Sequence, residues 1–189
     1  IEYHNPTFLL SDEVMMTPEW FGDQLRWLSE NGYYTLSSAE LAAFVQGQPV
    51  PQKSVVLSFD IGLPKHTEYT EIVIPALRQY GMHAVVFLLV SENVIGDTCG
   101  LGETFCWEEL RGWAEEGLIS VESHGIWHVD YAVMSVENQR WDAGQSKAII
   151  EEKIGQPVLG FAYPFDSSTA EAQRVVASLG YQYAVAGFS

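Results

Sequence analysis

Short apolar, β-branched runs alternate with longer amphipathic stretches along this chain, and that alternation limits its fold more than any single residue does. Ser54-Val-Val-Leu-Ser-Phe59, Ala84-Val-Val-Phe-Leu-Leu-Val90, Leu118 to Ser123, Gly160-Phe-Ala-Tyr163 and Tyr183-Ala-Val-Ala186 read as strands. Helical signals lie between them. Thr17-Pro18-Glu19 offers an N-cap, a first-turn proline and an acid, with Phe21, Leu25 and Leu28 at helical spacing and Gly32 as the stop. Ser37-Ser-Ala-Glu40 has the form of a capping box, and that helix is ended by Gly47. Ile72 to Tyr80, Trp107 to Glu116, Ser135 to about Ile154 and a helix capped within Ser168 to Glu171 complete the series. Strand and helix in alternation imply parallel pairing and a closed or nearly closed α/β barrel.

A chain of 189 residues suits one domain, spanning 1–189. The formal charge of −16 repels nucleic acid and anionic membranes, so it argues against basic-patch binding and leaves neutral or cationic ligands, glycans among them. The bland reading of the same charge is solubility alone. No apolar run approaches the roughly 20 residues of a membrane span, and no signal peptide is legible in these residues. Cys99 and Cys106 flank a short Gly-containing loop. They form either a disulfide, which would indicate an oxidising compartment, or two free thiols.

In α/β barrels active sites gather where strands end. Asp60, His124 and Tyr163-Pro-Phe165 all follow predicted strand ends, and His4 follows a short strand from Ile1 to Tyr3. Each has a plain structural reading when taken alone: a turn-forming Asp, an accidental His pair, a core His. Together at one mouth they read as chemistry. His124 and His128, four residues apart, are suited to a divalent ion of the zinc type, and Asp60 to a carboxylate role beside them.

These motifs resemble those of the polysaccharide deacetylases, the NodB-homology carbohydrate esterases, over nearly the whole chain. Ser54-Val-Val-Leu-Ser-Phe-Asp60 is similar to the family's first motif, Ser123-His-Gly-Ile-Trp-His128 to the second and Phe161-Ala-Tyr-Pro-Phe165 to the third. Thr17-Pro-Glu-Trp-Phe21, Asn31-Gly-Tyr33 and Tyr3-His4 look like the circularly permuted poly-N-acetylglucosamine deacetylase branch. The resemblance implies a distorted, partly open (β/α) barrel of about seven parallel strands, and a secreted enzyme, placed outside the cell, in the periplasm or at the cell surface, that removes acetyl groups from a glycan. Asp60 would be its general base and His4 its catalytic acid. His124 and His128 would be metal ligands, to zinc first and cobalt or nickel otherwise. Phe165 would supply a backbone donor to the oxyanion. Tyr163 and Trp127, with Phe165 and Trp107, are aromatic candidates for sugar stacking.

The chain departs from the family pattern at Ile61, where a metal-binding Asp is expected. Isoleucine cannot ligate, and it is expected to set an apolar surface beside the metal position. Asp60 itself, or His66, Glu68 or Asp130, are the candidate replacements; a weak metal held by two His and water is the other outcome. The rival reading is an inactive, carbohydrate-binding deacetylase-like domain. A third is a related hydrolase of acetyl esters or cyclic amides.

Overall fold

The computed structural model describes residues 1–3, 16–63 and 65–187. β1 (Glu2–Tyr3) precedes α1 (Pro18–Glu30), β2 (Tyr34–Thr35), α2 (Ser38–Val45), β3 (Ser54–Val55) and β4 (Ser58–Ile61). α3 (His66–Glu68), a π turn at Tyr69–Val73 and α4 (Ile74–Tyr80) lead to β5 (Ala84–Leu88). β6 (Ile95–Gly96) and β7 (Phe105–Cys106) precede α5 (Trp107–Glu115), β8 (Ile119–Ser123) and α6 (Val136–Ile154). β9 (Gly160–Ala162), α7 (Ala170–Ser178) and β10 (Tyr183–Val185) complete the order. His4 lies outside the described residues.

The caps lie close to where the residue types put them. Thr17 Oγ1 accepts from Trp20 N, and Ser37 and Glu40 close both halves of a capping box. Ser135 caps α6, and within the Ser168–Glu171 signal it is Thr169 that caps α7. Such caps contribute about 1 kcal/mol each. The helix predicted at Ile72 begins earlier, at His66, and passes through the π turn. Pro75 accounts for the irregularity: it has no N–H to give to the helical ladder.

Six strands form one parallel sheet in the order β1-β4-β5-β8-β9-β10, while β2–β3 and β6–β7 are separate parallel pairs. Strand order follows chain order, so the sheet winds in one direction into a half-barrel. Among the described residues no ladder joins β1 to β10. The partly open barrel is therefore found, with six strands in its wall among the described residues. The predicted strand Ser54–Phe59 divides in two. Ser54–Val55 pairs with β2, whereas β4 pairs with both β1 and β5 and runs on through Asp60 to Ile61. Asp60 is thus a strand residue, not the first residue beyond a strand.

Pleat alternation sorts β5 between two apolar clusters. Ala84, Val86 and Leu88 join the large core between sheet and helices, with Phe59 and Ile61 from β4 and Ile119 and Val121 from β8. Val85 and Phe87 point to the concave side, where they meet Ala162, Tyr183 and Ala42. The alternate residues of β4 and β8, which include Asp60 and Glu122, therefore belong to the concave side.

β8 and β9 share a single ladder position, Ser123 opposite Phe161. Below it the carboxylate of Glu122, 1% exposed, accepts from Leu159 N at 2.7 Å and Gly160 N at 2.6 Å, so a side chain does the work of the missing ladder. Burial outweighs these donors and lifts the Glu122 carboxyl from 4.5 to about 7. A raised folded-state value means that the native protein keeps this proton after the unfolded chain has lost it. The contribution is therefore complete below pH 4.5 and lost as pH rises toward 7. Urea unfolding across that window is expected to show a stability decline that Glu122→Gln removes, read as the difference between the two proteins.

Candidate active site

Asp60 enters the site from β4 with its side chain 17% exposed, and its Oδ2 lies 3.9 Å from His124 Nε2. His124 follows β8 directly. Its backbone N–H donates to Leu88 O at 2.9 Å, and its neighbour Gly125 accepts from Val90 N, so β5 holds this segment in line. The imidazole is 3% exposed, with Nδ1 3.0 Å from the carbonyl oxygen of Ala162 in β9. A carbonyl can only accept, so Nδ1 carries the hydrogen. In the neutral ring this leaves Nε2, on the Asp60 side, as the lone-pair nitrogen.

His128 closes the pair. The two imidazole centroids are 5.1 Å apart, and the His128 ring lies 4.8 Å from that of Phe165. Burial, with the neighbouring His124 adding to it, lowers the His128 pKa and favours the neutral ring that a metal needs. Its backbone is left-handed, φ +50°, a conformation uncommon for a residue with a Cβ. Phe165 and Asp166 continue the theme with φ +60° and +55°, and this tight turn leaves the Phe165 ring 64% exposed. Asp166 accepts from Gly187 N at 2.7 Å, tying the turn to the chain beyond β10.

Asp60, His124, His128, Tyr163 and Phe165 share one cleft of about 430 Å³ with Gly62, Leu63, Lys65 and Asp166. The other aromatic candidates differ in placement. Trp107 is 7% exposed and belongs to the core, so it offers no sugar-stacking face. Tyr163 is buried against Tyr131 and Phe161, with a hydroxyl that has no partner among the described residues; burial raises its pKa to about 12 and keeps it protonated. Trp127 stands outside the cleft wall, half-exposed and stacked on Trp141 at 4.7 Å and 13°.

The candidate replacements for a third ligand also separate. His66 Nε2 is 3.0 Å from each carboxylate oxygen of Glu109, and Asp130 accepts from Ala132 N at 2.7 Å. Neither these two nor Glu68 lines the cleft; Asp60 does. Among the described residues, the group of three ligand-type side chains whose donor atoms lie within 4.8 Å of one another is Cys99, Cys106 and Glu109. Its sulfurs are bonded to each other, which settles the cysteines as a disulfide with Cα atoms 5.0 Å apart. The donors at the His pair nonetheless suit a divalent ion in type: two imidazoles, one with its tautomer set by a backbone carbonyl, and a carboxylate beside them.

Sequence reasoning did not single out Asp142. It is 1% exposed on α6, and it accepts from Ile126 N, Trp127 N and the Tyr131 hydroxyl. The available signal was the spacing of Gln139, Asp142 and Ser146, three polar residues on one helical stripe that turns out to face inward.

The profile of the polysaccharide deacetylase family matches residues 47–184, and the chain belongs to that family. YxkH of Bacillus subtilis, whose own assignment as a polysaccharide deacetylase is provisional, is 28% identical over 87% of this chain and 56% of its own length. The poly-beta-1,6-N-acetyl-D-glucosamine N-deacetylase of Escherichia coli K12 is 31% identical over 71% of this chain. The chain spans only 21% of that protein and about half of the Bacillus one. In fold, the chain is similar to the Streptococcus pyogenes deacetylase PplD, solved with acetate, at TM-score 0.83 and 22% identity, covering 96% of this chain and 80% of that one. A more distant structural neighbour is a CE4 family pseudoenzyme from Bacillus anthracis, at TM-score 0.53 and 17% identity over 69% of this chain and 42% of that one.

Ile61 is not where its sequence position suggested. It is 1% exposed, sits in the large core with Phe59 and forms no part of the cleft wall. The pleat turns its side chain away from Asp60, so it does not put an apolar surface beside the His pair. An Asp in its place meets an apolar core before it meets a metal. Ile61→Asp is expected to destabilise the metal-free protein by about 3 kcal/mol or more, measured by urea denaturation.

Proposed function

We propose that this domain removes acetyl groups from N-acetylated polysaccharide, with polymers of N-acetylglucosamine as the first substrates to examine. One observation carries the reading: the Asp60 carboxylate faces His124 Nε2 at 3.9 Å while Ala162 fixes the His124 tautomer from behind. His124 and His128 are the residues to hold a divalent ion, zinc in preference to cobalt or nickel. Bound there, such an ion supplies polarisation of the acetyl carbonyl and acidification of a water. Asp60 would act as general base, taking a proton from the attacking water. The Phe165 N–H, in its left-handed turn, donates to the developing oxyanion. His4 returns a proton to the leaving amine.

The cleft of about 430 Å³ falls in the range of small-ligand sites and suits a short stretch of a sugar chain better than a folded partner. The E. coli relative is named for a poly-N-acetylglucosamine substrate, which favours that polymer over an acetyl ester. No helix among the described residues is long and apolar enough to cross a membrane. The disulfide accords with an extracellular, periplasmic or surface location.

Ile61 favours a second reading, a domain that keeps the groove and binds glycan without hydrolysing it, because it removes the expected third metal ligand. Metal analysis and acetate release from N-acetylglucosamine oligomers under zinc, cobalt or nickel separate the two. Acetate released with bound metal supports the enzyme, glycan binding without acetate supports the second reading, and neither sinks both. In the active protein Asp60→Asn is expected to cut acetate release by roughly 10²-fold or more. His128→Ala is expected to abolish zinc binding by titration calorimetry.

A further inference from the structure

The segment from Ser123 to Met134 carries both histidines, and α6 grips it at several points along one stripe. Asp142 Oδ1 accepts from Ile126 N at 3.1 Å and Trp127 N at 3.0 Å, and Oδ2 accepts from the Tyr131 hydroxyl at 2.8 Å. Burial and the adjacent carboxylate hold that phenol far above its ordinary pKa, so it remains a donor. One turn before Asp142, Gln139 Nε2 donates to the carbonyls of Tyr131 and Met134 at 2.8 and 3.0 Å. One turn after it, Ser146 Oγ meets Ser123 Oγ at 2.7 Å.

Two backbone features show that the middle contact sets geometry. Gly125, at φ +79°, lies so near Asp142 that a Cβ there would stand 2.4 Å from Oδ2. The carboxylate therefore packs on bare backbone between the two histidines. His128 then adopts its left-handed conformation one residue after the Trp127 contact. Such a conformation persists when its surroundings over-determine it, and the pair of hydrogen bonds at 126 and 127 does so.

We infer that Asp142 is the positioning residue of the His124–His128 pair: it fixes the intervening loop so that the His128 ring is presented to His124 before any ion arrives. The inference rests on the proposed reading of the pair as metal ligands, and its consequence is pre-organisation. Without Asp142 the loop must be ordered at the moment of binding, and affinity falls by that amount.

The experiment compares wild type, Asp142→Ala and Asp142→Asn, each checked for fold by circular dichroism, with zinc as the probe. Calorimetry is expected to show zinc affinity reduced roughly 10- to 100-fold in the Ala variant. Affinity close to wild type is expected in the Asn variant, whose Oδ1 can still accept from both backbone N–H groups. A folded Asp142→Ala protein that binds zinc as wild type does overturns the inference, even if it melts at a lower temperature. NMR of the His128 ring protons, which lie near the Phe165 ring, gives a readout that needs no metal. Those shifts are expected to move in Asp142→Ala, and identical shifts overturn the inference even if wild type binds no zinc, a result that would separately sink the metal reading. If Asp142→Ala does not fold, Tyr131→Phe removes only the hydroxyl that orients the carboxylate. Unchanged His128 shifts in that variant count against the inference in the same way.

Discussion

β5 never contributes a polar side chain to the cleft, yet the site depends on its parallel register. It pairs Asp60 with Phe87 on one edge and Phe87 with Glu122 on the other, so β4 and β8 run in step at two strand spacings, about 9.6 Å. The ladder then continues past the strand ends, through Leu89 N to Ile61 O, His124 N to Leu88 O and Val90 N to Gly125 O. Two side chains on the concave face of a curved sheet lean toward each other. That is how a carboxylate and an imidazole from strands that do not touch come to 3.9 Å. The geometry of this pair is set by backbone hydrogen bonds whose own residues are almost all apolar.

The same pleat explains why adjacent positions have separate fates. Asp60 faces the concavity and Ile61 the helices, so the strand can carry a cleft carboxylate and a core anchor side by side. A second carboxylate adjacent to Asp60 and aimed into the cleft would need a backbone that turns out of the strand at that point. Here the backbone remains extended and Ile61 O accepts from Leu89. The departure from the family pattern is therefore a matter of local packing as much as of one ligand.

Much of this was legible in the residues. Short apolar, β-branched runs, Thr17 and Ser37 as caps, Gly at helix ends and the convergence of Asp60, His124 and Phe165 each rest on local chemistry that a sequence displays. What was not legible depended on partners distant in the chain. The division of Ser54–Ile61 into two strands follows from β2 claiming its first half. Asp142 looks like any surface acid until α6 is docked on the loop it holds, and Trp127 is an exposed indole until Trp141 is found stacked on it. The core position of Trp107 and the engagement of His66 by Glu109 are decided by the same kind of distant contact.

The narrow join between β8 and β9 bears on what a histidine at 124 can be taken to mean. Glu122 rivets that join below its single ladder position, and His124 rivets it above, through the bond from Nδ1 to Ala162. His124 thus has a duty to the sheet that is independent of any ion. A descendant of this fold that had given up hydrolysis would still be under pressure to keep it, because losing it opens the wall of the barrel. His128 makes no such cross-strand bond among the described residues, and its strained backbone gives a lineage reason to discard it once it is idle. Of the two, the second histidine is therefore the one whose presence the sheet does not account for.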